Sequence, residues 1–321
     1  MQNKNKNKNK NKIIISLCHK KKYGLLDIAN ALTMYGNRHE NFIDFYLLSN
    51  SINLFKLLTN SPNKIICCVV WDNSFFSLFN CFLLKLFSIK IIYYYHEPGG
   101  FRHKVNNLKN KFFSALVQSI AEFLFKLLST YNAVSLKKNL HHGHFYLPIL
   151  FSDIRPPRRK KNKTIGFMGF RKRERCPILF EKTVQILQKN GYQAIFFPSK
   201  EYGFLEHQKF DFLSRTDIVW NVFNCPNNIS AVTGDAFMSK TPIIVSKYEK
   251  FIKLLRKHNL CVEIDIYDPP NFIAEKILSY LSMNNNPLPS ISTDHSNFGG
   301  SKAYVKYWQP VFYQLTDKLN A

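Results

Sequence analysis

A glycine followed by a basic cluster is the first group of residues whose types and spacing suit a chemical task. An apolar run ends at Gly169, and four of the next six residues are basic, just before a segment with helical periodicity. A glycine lets the backbone approach a ligand closely, and the amides of a helix N-terminus attract anions. Gly169, Arg171 and Arg175 are therefore candidates to bind a diphosphate, and a solvated basic loop is the alternative.

A polar loop that leads into a short helix with one acid is the second candidate. The segment from Asn227 to Val245 places Ser230 just before the predicted helix and Asp235 inside it. A carboxylate in this place can accept hydrogen bonds from vicinal hydroxyls such as those of a ribose, while Ser230 and the loop amides suit a phosphate. The alternative is that Asp235 interacts only with the N-terminal dipole of its own helix.

A histidine and a glutamate follow a predicted strand in the first half of the chain. His96 and Glu97 come directly after three tyrosines, at the carboxyl end of that strand. His96 can contact sugar hydroxyls, and Glu97 can orient it or act as a base, unless the pair only completes a turn. His19 with Lys20–Lys22 follows the first strand, where it suits an acceptor phosphate or forms a solvated loop.

Metal binding is not predicted. Three histidines at 141, 142 and 144 lack a nearby carboxylate or cysteine that would complete a ligand set. Glu263 and Asp265 are spaced like the Asp-x-Asp pair of metal-dependent transferases, but they lie in a strand-like stretch. We expect neither a metal nor a cofactor.

The elements that must position these residues are short apolar strands alternating with longer helices, over residues 13–150 and again over 164–300. This alternation predicts parallel sheets with helices on both faces. Residues 151–163, with two prolines and a basic run, are typical of a linker, and residues 301–321 are predicted to form a helix that packs back on the first domain. The predicted fold class is α/β: two Rossmann-like doubly wound domains facing across a cleft, where such sheets bind ligands.

The motifs resemble those of a large group of retaining glycosyltransferases, often called family 4 or group 1, which have the GT-B fold. Residues 235–244 are similar to the second half of the group's signature, two acids separated by seven residues and followed by Ala-Met-Ala-x-Gly-x-Pro-Val-Ile. Residues 169–175 resemble its Gly-Arg loop, in which Arg171 or Arg175 would hold the nucleotide diphosphate. His96-Glu97 resembles a turn that is common in bacterial members.

The sequence departs from that pattern at three positions. Asn227 stands where the first acid is expected, Asp235 replaces a glutamate, and Cys176 replaces a glycine. In the group the first acid lies near the donor sugar, so the substitution at Asn227 affects the sugar contacts that the resemblance implies.

The resemblance implies a hexosyltransferase that works with retention and without metal. It would move a sugar from a nucleotide diphosphate-sugar to a lipid-linked glycan in bacterial surface polysaccharide synthesis, whether of the O-antigen of lipopolysaccharide, of capsule or of lipooligosaccharide. Gly169, Arg171, Arg175, Asn227, Ser230 and Asp235 would bind the donor, and His96 and Glu97 would be catalytic. A catalytically degenerate partner protein with the same fold is the alternative.

Charge and composition indicate which anionic partners the chain could bind. The chain of 321 residues has a formal net charge of +24, of which an Asn/Lys repeat over residues 1–12, read as a disordered tail, supplies a part. Such a charge attracts polyanions. No nucleic-acid-binding module is recognisable, so a basic nucleic-acid-binding protein is the last of the alternatives. Phe75–Tyr95 and Phe101–Leu128 combine Phe and Leu with lysines, which favours contact with an anionic membrane over ordinary packing on the sheet.

The cysteines and the lengths of the apolar runs predict where in the cell the protein is located. Seven scattered cysteines without a Cys-x-x-Cys pair indicate reduced thiols. We expect no signal peptide and no spanning helix, since the apolar runs are too short for either. The prediction is a cytoplasmic protein, peripheral on the inner face of the cell membrane.

Overall fold

The computed structural model of the chain divides into two α/β units. The residues that the structure describes are 12–19, 23–72, 74–95, 112–134, 145–151, 163–169, 173–197, 206–224, 230–249, 251–283 and 298–317. The first unit takes in those up to residue 151 together with 298–317, and the second unit takes in those from 163 to 283.

The first unit is built on a parallel sheet. Its strands are β1 (Lys12–Leu17), β2 (Ile43–Leu48), β3 (Ile65–Val70), β4 (Lys90–Tyr95), β5 (Tyr131–Val134) and β6 (Phe145–Tyr146). They lie in the order β2-β1-β3-β4-β5-β6. Every residue of β3 is buried, as expected for a central strand of a sheet covered on both faces.

Helices cover both faces of this sheet. They are α1 (Tyr23–His39), α2 (Ser51–Asn60), α3 (Phe75–Leu86) and α4 (Phe112–Leu128). Helices α2, α3 and α4 form one layer, because Leu54, Leu78 and Phe125 share a core with Ile15 and Cys68 of the strands. Helix α1 covers the opposite face, where the carbonyl of Ala29 accepts from Ser16 Oγ at 3.3 Å.

The C-terminal segment belongs to the first unit. It starts with β13 (Phe298–Gly299), which pairs in parallel with β7 (Ile149–Leu150). The helical part then begins as α10 (Ser301–Ala303), passes through a π-helical turn (Tyr304–Trp308) and continues as α11 (Gln309–Asp317). The ring of Trp308 is fully buried and contacts those of Trp71 and Tyr94, with centroids 5.5 and 5.8 Å apart.

The second unit repeats the plan of the first. Its strands are β8 (Thr164–Met168), β9 (Gln193–Phe197), β10 (Ile218–Trp220), β11 (Ile243–Ser246) and β12 (Cys261–Ile264), in the order β12-β11-β10-β8-β9. Its helices are α5 (Pro177–Gln188), α6 (Glu206–Ser214), α7 (Ala231–Met238), α8 (Ile252–Lys257) and α9 (Pro270–Met283). In both sheets the second strand lies on one side of the first strand and the third on the other.

The structure confirms the predicted α/β class with two doubly wound units. The sequence predicted strands over Ile65–Val70 and Thr164–Met168 and a helix over Ala231–Met238, and β3, β8 and α7 have these bounds; those of most other elements differ by a few residues. The two-residue strands β7 and β13 were not predicted, because two residues carry no periodicity. Since β13 pairs within the first unit, the chain has returned there by residue 298, before the predicted start of the last segment at 301.

The described cysteines carry free thiols, and those in the first unit are buried. Burial raises the pKa of Cys67 from 9.0 to about 12, and Lys90 acts in the opposite direction. Within the described part of the chain, no helix combines the length and the apolar character needed to span a bilayer.

Candidate functional site

The candidate site lies at the carboxyl ends of β8 and β10 in the second unit. These two strands are neighbours, while β9 lies on the other side of β8. The connections that leave β8 and β10 therefore diverge, and this is where doubly wound sheets form a crevice for ligands. Gly169 is the first residue beyond β8, and Asn221 is the first beyond β10.

Gly169 has a backbone conformation and surroundings that only glycine fits. Its φ is +100°, in the region that L side chains rarely adopt. A Cβ added at this position would overlap with Nη1 of Arg175. The glycine therefore leaves the space that the arginine side chain occupies, and the turn and the arginine depend on each other.

Arg175 is buried beneath this turn. Nη1 donates to the carbonyl of Met168 at 2.6 Å and Nη2 to Oδ1 of Asn221 at 2.7 Å. The guanidinium also lies over the rings of Phe167 and Phe223, at 5.6 and 5.2 Å from their centroids. These contacts fix the side chain between the ends of two strands.

The charge of Arg175 persists at neutral pH. Burial lowers its pKa from 12.5 to about 10, and Glu174 acts in the opposite direction. The side chain is therefore a cation in a low-dielectric place, and its Nε has no hydrogen-bond partner among the described residues. A buried cation with an unused donor favours an anion nearby.

Asn221 connects this cation to a buried acid. Its Nδ2 donates to Oε2 of Glu249 at 3.3 Å and to Oγ1 of Thr233 at 3.0 Å. Thr233 Oγ1 donates to the same Glu249 oxygen at 2.9 Å, and Glu249 Oε1 accepts from the amide of Phe251 at 3.1 Å. Arg175 and Glu249 are thus opposite charges joined through a neutral amide.

Ser230 begins helix α7 and joins the same network. Its Oγ accepts from the amide of Val232 at 3.2 Å, as an N-cap does, and donates to Oδ1 of Asn221 at 3.0 Å. The N-terminus of α7 is therefore held next to the end of β10. Its positive dipole end adds to the charge of Arg175.

Asp235 lies inside α7 and is buried. Its carboxylate forms an ion pair with Lys209 of α6, with Oδ2 at 3.4 Å from Nζ. Neither side chain is more than one-tenth exposed. The structure therefore gives Asp235 a cationic partner that the sequence did not indicate, and its predicted contact with a ribose stays a prediction.

Four predicted site residues lie outside the described part of the chain: His96, Glu97, Arg171 and Asn227. The histidines at 141, 142 and 144 also lie outside it. The structure brings together Gly169, Arg175 and Ser230 through Asn221, and it places Asp235 one turn further along α7.

The sequence reasoning missed Asn221, Glu249 and Lys209. The sequence predicted a strand over Ile218–Val222, which includes Asn221, whereas the strand ends at Trp220. A polar residue directly after a buried parallel strand is a signal that would have found it. No local pattern marks Glu249, which lies in the turn between β11 and α8, or Lys209.

The first unit has a polar cluster at the matching place, where β1 and β3 end. The buried carboxylate of Asp72 accepts from the amide of His19 at 2.7 Å, from Ser77 Oγ at 2.9 Å and from the amide of Ser74 at 2.8 Å. The ring of His19 meets that of Phe76 edge-on. Asp72 therefore fixes the loop after β1 to the start of α3.

Metal ligands are not gathered in the part of the chain that the structure describes. There, no group of three or more His, Cys, Asp or Glu side chains is arranged to hold a metal ion.

Comparison with known proteins gives similarity in structure and none in sequence. No protein-family model matches the chain, and no curated protein does. Among solved structures, the Anabaena protein HepE, solved with UDP, superposes with a TM-score of 0.53 at 9% identity, covering 96% of this chain and 99% of HepE. HepE has also been solved with UDP and glucose and with UDP-glucose.

Two further solved structures show the same architecture. An α-glucosyltransferase in complex with UDP and a 13-mer DNA matches with a TM-score of 0.60 and 8% identity, over 95% of this chain and 99% of its own. Sucrose-phosphate synthase from Thermosynechococcus elongatus matches with a TM-score of 0.54 and 11% identity, over 96% and 98%. The fold of the chain is GT-B-like.

Proposed function

We propose that this protein is a glycosyltransferase whose donor is a nucleotide diphosphate-sugar, bound at the carboxyl ends of β8 and β10. The observation that carries the proposal is the buried network of Arg175, Asn221 and Ser230 beside the Gly169 turn. It places a cation and a helix N-terminus at the switch point of the sheet, which suits a diphosphate.

The network explains how the leaving diphosphate would be stabilised. Negative charge grows on the diphosphate as the bond to the sugar breaks, and a preorganised positive environment lowers the energy of that state. Arg175 acts as a positioning residue that fixes the Gly169 turn and adds its charge from below. Arg171 would contact the phosphates, Asp235 the ribose and Asn227 the sugar. We propose transfer of a hexosyl group with retention and without metal.

The solved structures with a similar fold guide the choice of nucleotide. HepE and the α-glucosyltransferase were both solved with UDP, and HepE also with UDP-glucose. We propose a uridine diphosphate donor for this chain. His96 and Glu97 would address the sugars as the catalytic pair.

The acceptor in this proposal is a lipid-linked glycan of a bacterial surface polysaccharide, and the enzyme works on the cytoplasmic face of the membrane. The net charge of +24 supports contact with an anionic surface. In the first unit, Asp72 holds the backbone of His19 at the matching switch point, and we propose that the acceptor binds at that end of the sheet.

A ligand-binding experiment tests the proposal. UDP at 100 times its dissociation constant is expected to raise the free energy of unfolding by about 2.7 kcal/mol, read as a thermal shift. Arg171→Ala should lose this stabilisation, while Arg215→Ala, at an exposed position after α6, should keep it. Retention is read from the anomer formed with UDP-glucose, and metal independence from transfer in EDTA.

The alternatives give different results in the same experiment. Stabilisation by UDP without transfer to any lipid-linked acceptor would favour a degenerate partner protein. No stabilisation by UDP, GDP, dTDP or CDP would reject the donor site altogether. Tight RNA binding with a steep salt dependence would favour a nucleic-acid-binding protein.

A further inference from the structure

The outward surfaces of α3 and α4 are apolar, although both helices lie at the surface of the first unit. Helix α3 buries Leu78, Cys81 and Leu84 against the sheet. Its opposite side exposes Phe75, Phe79, Phe82 and Leu86, of which Phe75 is 84% exposed and Leu86 79%. These four residues recur at intervals of three and four and so form one stripe.

Helix α4 continues this surface. It packs beside α3 in the same layer. Its described outward residues include Ile120, Phe123 and Leu127, and Phe123 is 65% exposed. An amphipathic helix of a water-soluble domain carries polar residues on this side, so the two helices present large apolar side chains where solvation alone would not place them. We call these seven residues the α3–α4 face.

The charges around this face are mainly positive. Exposed lysines border it, Lys85 on α3 and Lys126 on α4, and Lys56 is exposed on the adjacent helix α2. The three helices contain a single acid, Glu122. The chain as a whole carries +24. An apolar stripe with lysines at its border complements a surface that is apolar inside and anionic outside.

We infer that the α3–α4 face docks on an anionic lipid bilayer, with its phenylalanine and leucine side chains in the acyl boundary and Lys56, Lys85 and Lys126 among the headgroups. A second copy of this chain fits less well, because a symmetric contact through the face would bring like-charged lysines together. The inference rests on the proposed function, since a lipid-linked acceptor requires a bilayer, but its test reads binding without turnover.

The test is flotation of the full chain with vesicles of phosphatidylglycerol and phosphatidylcholine, compared with vesicles of phosphatidylcholine alone. Binding is expected to the anionic vesicles and to weaken with salt. Replacing Phe75 and Phe123 together with Ser should lower the partition coefficient about tenfold for each residue. Lys85→Gln with Lys126→Gln should lower it about fivefold for each lysine on anionic vesicles only.

Matched controls lie in the second unit. Tyr267 and Met283 are 80% and 77% exposed, and their joint replacement with Ser should leave vesicle binding unchanged. Lys182→Gln with Lys189→Gln is the charge control, because both lysines are exposed on or next to α5. A UDP thermal shift that is equal in all four double variants shows that folding and the donor site are intact, so failure of either proposal is seen separately.

Three outcomes would overturn the inference. The first is that anionic vesicles do not bind the wild-type chain. The second is that the Phe75 and Phe123 double variant binds as well as the Tyr267 and Met283 control. The third is sedimentation that shows a dimer which the Phe75 and Phe123 variant abolishes, because the occupant of the face would then be a second copy.

Discussion

Nη2 of Arg175 lies 2.7 Å from Oδ1 of Asn221, so the cation beyond the end of β8 is fixed to the first residue beyond β10. The Nδ2 of Asn221 also donates a hydrogen bond to Oε2 of Glu249 at 3.3 Å. The neutral side chain of Asn221 thus hydrogen-bonds both the Arg175 cation and the Glu249 carboxylate. Either charge, buried without a partner, would destabilise the fold.

Asn221→Ala is expected to lower the free energy of unfolding by about 2–4 kcal/mol. The change leaves Arg175 with one fewer acceptor and Glu249 with one fewer donor, both buried. Urea denaturation measures the loss. Asn224→Ala, three residues further on at an exposed position, should change stability by less than about 0.5 kcal/mol. Equal effects of the two substitutions would show that the network does not stabilise the unit.

Gly169→Ala should be more harmful than Gly191→Ala, although both glycines have a positive φ. At Gly191 an added Cβ meets nothing closer than Lys163 Nζ at 3.6 Å, so only the backbone cost of about 1 kcal/mol applies. At Gly169 the new Cβ also displaces the guanidinium of Arg175. We expect a further loss of about 1–3 kcal/mol and of the UDP thermal shift in Gly169→Ala alone. Two variants of equal stability and UDP response would contradict this account.

Tyr304→Phe and Tyr313→Phe remove hydrogen bonds to the two oxygens of one carboxylate. The hydroxyl of Tyr304 donates to Oε1 of Glu40 at 3.0 Å, and that of Tyr313 to Oε2 at 2.9 Å. Tyr304 is fully buried, while Tyr313 is 48% exposed. Thermal or urea unfolding should show a loss of about 1.5–3 kcal/mol for Tyr304→Phe and under about 1 kcal/mol for Tyr313→Phe, where water replaces the hydroxyl. The reverse ranking would refute this.

Cys67→Ala tests how the free energy of unfolding depends on pH in the alkaline range. The thiol titrates at about 12 in the folded state and 9.0 in the unfolded state, so the unfolded state loses its proton first. The stability that Cys67 contributes is therefore complete below pH 9 and falls by about 1.4 kcal/mol per pH unit above it. The stability gap between wild type and Cys67→Ala should narrow as pH rises through this window. If urea titrations at successive pH values show a constant difference in stability between the two proteins, the raised pKa of Cys67 would be ruled out.

The sequence predicted the fold because its signals are local and repeated. The alternation of apolar strands and longer helices is visible in residues such as Ile65–Val70, and it specifies a parallel doubly wound sheet. The order of strands and the short pair β7–β13 depend on contacts between residues about 150 positions apart, for which no local pattern exists.

The candidate site was predictable only in part. Gly169, Arg175 and Ser230 have local signatures: a glycine after a strand, an arginine before a helix and a serine at an N-cap. Glu249 and Lys209 come to their partners through tertiary packing. That Arg175 is buried under the turn also follows from packing, since the basic run around it predicted a solvated or ligand-facing side chain.

The pairing of β7 with β13 sets the order in which the units can be completed during synthesis. The described residues of the second unit, 163–283, precede residues 298–317 in the chain, so all of its strands are synthesised before them. The first unit starts first but lacks Trp308, and with it the ring contacts to Trp71 and Tyr94, until these later residues are made. Until then the nascent first unit leaves the rings of Trp71 and Tyr94 without this partner, so we expect chaperones to bind it in preference to the second unit.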